Sequence, residues 1–154
     1  MIAFNHAMAG MLIATVVPAP IAIPLAFVSH FLLDLVPHYG LDKHKRDSST
    51  KYKLIVFCDI GLALLLNLVV LLKIPHLAAG YHAWIVLICG WVAVGPDLGL
   101  VYYSIRNSAT MHTYSRGPFS KIHERMQKYE RPTFAWQELA MTVILFSLLF
   151  YKLQ

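Results

Sequence analysis

"SHFLLDLVPH", residues 29–38, closes an apolar segment and sets His30, Asp34 and His38 at intervals of four. On a helix, residues at that interval lie one above the other on a single face. An ionisable group in hydrocarbon costs at least ~2.5–3.5 kcal/mol on insertion scales. Three on one face of such a segment therefore need a physical reason, and the rest of the chain supplies one.

The chain has 154 residues, enough for one domain. Hydrophobic residues make up 58%, charged residues 14%, and the mean hydropathy is +0.58. A soluble domain carries about 25% charged residues. The composition is that of an all-α, multi-pass membrane bundle, since in lipid a helix satisfies its own backbone. Cys58 and Cys89 lie in apolar runs and give no disulfide framework. No basic residue precedes the first apolar run, so a cleavable signal peptide is not expected.

Five apolar segments stand out, at residues 3–17, 21–36, 54–72, 81–105 and 134–151. The last three approach the ~20 residues that a hydrocarbon core requires. The first two are short and are separated by "PAP" at 18–20. They read as a tilted pair or as a re-entrant hairpin. Residues 118–130 read as an amphipathic interfacial helix: Phe119, Ile122, Met126 and Tyr129 share one face, with Lys121, Arg125 and Lys128 elsewhere.

Basic residues orient the bundle. Of the 13, only Lys73 and Lys152 fall outside the segments 37–53 and 106–133. The positive-inside rule makes both of those loops cytoplasmic, with the N-terminus inside and the C-terminus outside. The formal net charge of +5 is thus explained by topology in the cell (inner) membrane, and no nucleic-acid partner is expected.

Depth along the helices is the decisive observation. At 1.5 Å per residue, Asp59 lies ~9 Å in from the cytoplasmic face, Asp97 ~13 Å, Glu138 ~10 Å and His30 ~9 Å, with Asp34 about one turn shallower. His6 begins the first segment on the same side. All five segments bring an ionisable group to one level. So many carboxylates would repel one another, and bound cations relieve that repulsion.

His with carboxylate is a ligand set for zinc, and also for manganese or iron. The candidate ligands are His6, His30, Asp34, His38, Asp59 and Asp97, holding one or two ions. Asp97, His123 and Glu138 are candidates for acid–base or orienting work. Arg116, Lys121 and Arg125 are candidates for holding an anionic headgroup. Such a set suits metal-assisted hydrolysis of a phosphoester or lipid-linked phosphate, with membrane lipids as surroundings and partners. Oligomerisation stays open.

"NHAMAG" (5–10), "SHFLLDLVPH" (29–38) and "GPD" (95–97) resemble the short His/Asp motifs of a bacterial integral-membrane family of metal-dependent hydrolases. That family carries SHxxxD-type motifs on membrane helices and is similar to zinc-dependent phospholipase C-like folds. The resemblance covers about the first 40 residues and residues 95–97. It implies His6, His30, Asp34 and Asp97 as ligands. The family's inner HRGxTHS-type motif is not found as such; "HTYSRGPFSKIH" (112–123) is its loose counterpart, and the order of motifs differs. Three other readings stay open: a metal or proton transporter, haem ligation by paired histidines, and a structural or partner-binding bundle locked by its polar cluster.

Overall fold

The computed structural model describes residues 1–40, 50–73, 83–106 and 118–154. Among these, all regular structure is helical. The helices are α1 (Ala3–Val16), α2 (Ala19–Asp34), α3 (Thr50–Lys73), α4 (Ala83–Arg106), α5 (Pro118–Met126) and α6 (Ala135–Lys152), with short 3₁₀ turns at Gln127–Tyr129 and Pro132–Phe134.

Prolines punctuate the first hairpin. Pro18 stands extended between α1 and α2, and Pro20 takes an early position in α2, where a missing N–H costs nothing. Because α2 begins at Ala19, Pro24 falls in its second turn. The helix ends at Asp34, two residues before the expected Val36. Its last amides turn tighter, Leu35 N donating to Leu32 O at 3.3 Å and Val36 N to Leu33 O at 3.0 Å. Pro37 forbids another helical turn.

α1 is the centre of the molecule. Asn5 through Met11 are all buried, and the helix packs against α2, α3, α4 and α6. A helix without a polar stripe that is buried on every side is a core element. Its close approach to α4 depends on glycine. A Cβ at Gly10 would stand 2.2 Å from the Cys89 carbonyl oxygen, and one at Gly90 2.8 Å from Met11 Cε.

The outer helices turn apolar side chains outward: Leu64, Leu65, Leu68 and Leu72 on α3, Trp136, Val143 and Ile144 on α6. Leu54–Lys73 and Pro132–Lys152 are each long and apolar enough to cross a membrane. α4 itself, Ala83–Arg106, lies over the 81–105 segment marked from sequence, with Trp84–Gly99 as an apolar stretch.

A small strap holds α5 near the end of α2. His38 and Glu130 form an isolated parallel bridge. Arg131 N donates to His38 O at 3.1 Å, and Gly40 N to Arg131 O at 3.4 Å. The Glu130 side chain lies where a Cβ on residue 40 would be, so a larger residue there would displace that side chain.

Candidate metal centre

His6 comes from the first turns of α1, His30 and Asp34 from the last turns of α2, Asp97 from α4 just past Pro96, and His123 from α5. The i,i+4 spacing on α2 sets His30 Nε2 3.4 Å from Asp34 Oδ2. Asp34 is the hub. Its Oδ1 lies 3.3 Å from His6 Nε2, and its Oδ2 lies 3.0 Å from His123 Nε2. Met1 N also donates to Asp34 Oδ1 at 3.0 Å. Asp97 faces the same nitrogens, 3.3 Å from His123 Nε2 and 3.9 Å from those of His6 and His30.

Three imidazole Nε2 atoms and two carboxylates thus meet from four helices. Two overlapping triads, His6–His30–Asp34 and His30–Asp97–His123, each keep their donor atoms within 4.8 Å of one another. Zinc bound at ~2.0–2.1 Å in a tetrahedron separates its ligand atoms by about 3.3 Å. The closest donor separations here, 3.0–3.4 Å, are of that size.

Hydrogen bonding fixes which nitrogens face inward. His30 Nδ1 lies 2.8 Å from the Ala93 carbonyl, which can only accept, so Nδ1 carries the hydrogen and the Nε2 lone pair faces the cluster. Pro96 loosens this turn of α4 by leaving the neighbouring Val92 carbonyl without its usual donor. The His6 ring stacks on His30 with centroids 4.1 Å apart. His6 is fully buried, yet neither ring nitrogen has a hydrogen-bond partner. Burying such a group unpaired is costly, and a metal ligated by Nε2 removes that cost for one of the two nitrogens.

The surroundings are uneven. His6, His30 and Asp34 are fully buried, whereas Asp97 keeps 16% of its side chain exposed, the most open of the five. Burial alone would push the His123 pKa down. The hydrogen bond to Asp34 and the charges of Asp97 and Asp34 outweigh it and raise the pKa above the ordinary histidine value.

Comparison with protein-family models, with curated proteins and with solved structures gives no match to this chain.

The remaining candidates occupy other positions. Asp59 accepts from the α1 amides of Ala3 at 2.7 Å and Phe4 at 2.9 Å. Glu138 Oε1 accepts from Ile2 N at 3.1 Å and Asn5 Nδ2 at 2.7 Å, and its Oε2 accepts from Tyr39 N at 3.1 Å. Neither belongs to the two triads. His38 is buried in the strap, with Nδ1 bonded to Val36 O at 2.8 Å and Nε2 without a partner. Burial, together with the nearby N-terminal ammonium, lowers its pKa. Lys121 and Arg125 are exposed on α5, and Arg116 lies outside the described residues. Sequence reasoning missed Asn5 and Thr142, whose hydroxyl donates to Asn5 Oδ1 at 2.9 Å. The signal available was an amide side chain beside His6 in an otherwise apolar helix.

Proposed function

We propose that the chain is a multi-pass integral membrane protein that binds zinc through His6, His30, Asp34, Asp97 and His123. On this reading it hydrolyses a phosphoester or lipid-linked phosphate at the cytoplasmic leaflet. The observation that carries the reading is the convergence of three buried imidazoles and two carboxylates, with His6 left without any hydrogen-bond partner.

An all-nitrogen-and-oxygen donor set favours zinc, with manganese and iron as the competing ions. Thiolate takes no part in the two triads. A divalent cation held there would supply Lewis acidity, lowering the pKa of water and neutralising charge on a phosphoryl oxygen. The protein's own share is orientation and access. Ala93 O and Asp34 aim the imidazoles, α1 and α2 exclude water from one side, and Asp97 stands at the open side. Exposed Lys121, Arg125, Lys128 and Arg131 flank His123 along the chain, a basic rim suited to an anionic headgroup. The membrane reading is supported by the two long apolar helices and by the outward apolar faces of α3 and α6.

The test is elemental analysis of detergent-purified protein, with hydrolysis of a chromogenic phosphodiester and of phospholipid vesicles measured before and after chelation. Stoichiometric zinc, and activity lost to chelator and restored by Zn²⁺, are expected. Metal-free protein whose thermal stability ignores chelator overturns the metal site. Metal-loaded protein inert towards both substrates overturns the hydrolase assignment alone.

A further inference from the structure

The first turn of any helix leaves its leading N–H groups without intrahelical partners. In α1 those groups are satisfied from outside the helix. Ile2 N goes to Glu138 of α6, while Ala3 N and Phe4 N go to the two oxygens of Asp59 on α3. Asn5 N and His6 N then bond back to Ile2 O at 3.1 and 3.4 Å. No side chain at the helix's own N-cap, Ile2, does this work.

Two carboxylates from two other helices therefore hold the end of α1 that carries His6. Their negative charge also matches the positive end of the helix dipole. Asn5 extends the link: Nδ2 donates to Glu138 Oε1 at 2.7 Å, and its Oδ1 accepts from Thr142 at 2.9 Å. Hydrogen bonds to ionised acceptors are short and strong, which suits a device that fixes position. His6 itself has no hydrogen bond to orient its ring, so its placement depends on the backbone that carries it.

We infer that Asp59 and Glu138 are positioning residues that clamp the first turn of α1 so that His6 Nε2 meets the metal. The inference rests on the metal reading above and deepens it. Both carboxylates lie near the metal level, yet each is occupied by amide donors. The sequence alone invites their assignment as ligand and base; their hydrogen bonds give them a different task. Removing a group that orients a metal ligand typically weakens metal binding ~10–100-fold without changing the ligand set.

The experiment is Zn²⁺ affinity of the full-length chain in detergent, by competition with a chromophoric chelator, for wild type, Asp59→Asn and Glu138→Gln. The visible bands of the Co²⁺-substituted proteins are recorded alongside. Each amide variant keeps one acceptor oxygen but turns an N–H₂ towards a backbone N–H. Zn²⁺ affinity lowered ~10–100-fold with unchanged Co²⁺ bands is the expected result. Altered bands in Asp59→Asn would make Asp59 a ligand and overturn the inference, as would affinities equal to wild type. Wild type that binds neither ion would overturn the metal reading, and the inference with it. Should Asp59→Asn or Glu138→Gln not fold, Thr142→Val carries the test. It deletes only the hydroxyl that holds Asn5, and weaker Zn²⁺ binding with unchanged bands is again required.

Discussion

Asp34→Asn is expected to strip the protein of its metal. Asp34 holds all three imidazoles more closely than Asp97 does, at 3.3 Å for His6, 3.4 Å for His30 and 3.0 Å for His123. The substitution keeps shape and volume but removes a full charge from a fully buried position. Deleting one partner of a buried charged constellation costs ~3–5 kcal/mol. That corresponds to a loss of affinity of roughly two to four orders of magnitude. Zinc retained through purification should fall to background. The rise in Tm that zinc confers on wild type should vanish, since a ligand stabilises only the state that binds it. Lys121→Gln serves as the control: its side chain is exposed on α5, and zinc content should be unchanged. Zinc retained by Asp34→Asn at the wild-type level would remove Asp34 from the ligand set.

Periodicity and depth could be read from the chain before any coordinates. The four-residue spacing is enough to bring His30 and Asp34 together, because helix geometry leaves no alternative. Depth likewise groups His6, Asp59, Asp97 and Glu138 at one level. What depth does not contain is rotation about each helix axis. Asp59 and Asp97 share a level, yet one faces the amides of α1 and the other faces histidines. That difference is set by how α3 and α4 pack around α1, a tertiary property. His123 shows the same limit from the other side. It stands on an amphipathic segment whose pattern predicts an interfacial helix but not that the helix folds back over α2. The strap responsible is a backbone pairing of residues 38–40 with 130–131, which carries no side-chain signature beyond Gly40. The central position of α1 is not read from the sequence, which offers a tilted pair or a re-entrant hairpin, although its composition suits that position. Small residues in "AMAG" on a short apolar helix are what close packing on every side requires.

That close packing leads to the second large effect, expected for Gly10→Ala. A methyl group is a small change, but here it has nowhere to go. The new Cβ would lie 2.2 Å from Cys89 O, 2.8 Å from Cys89 C and 2.8 Å from Ala93 Cβ. Two of these are backbone atoms of α4 and the third is fixed to it, so no rotamer change relieves the clash. α1 must move away from α4, at an overpacking cost of about 1–3 kcal/mol or more. The displacement also reaches the metal centre. His6 lies one turn from Gly10 on α1, and the Ala93 carbonyl that orients His30 lies one turn from Cys89 on α4. A shift of that contact separates His6 from Asp97 and disturbs the His30 ring together. Gly10→Ala should therefore lower both thermal stability and zinc affinity, although residue 10 is not a ligand. Gly61→Ala is the matched comparison, because a Cβ there meets nothing within 4 Å. In mid-helix that change should be neutral or stabilising by up to about 1 kcal/mol. Equal melting temperatures and equal zinc affinities for the two variants would show that the α1–α4 contact does not hold the site. A large loss confined to Gly10→Ala ties the metal geometry to one glycine at the crossing of two helices.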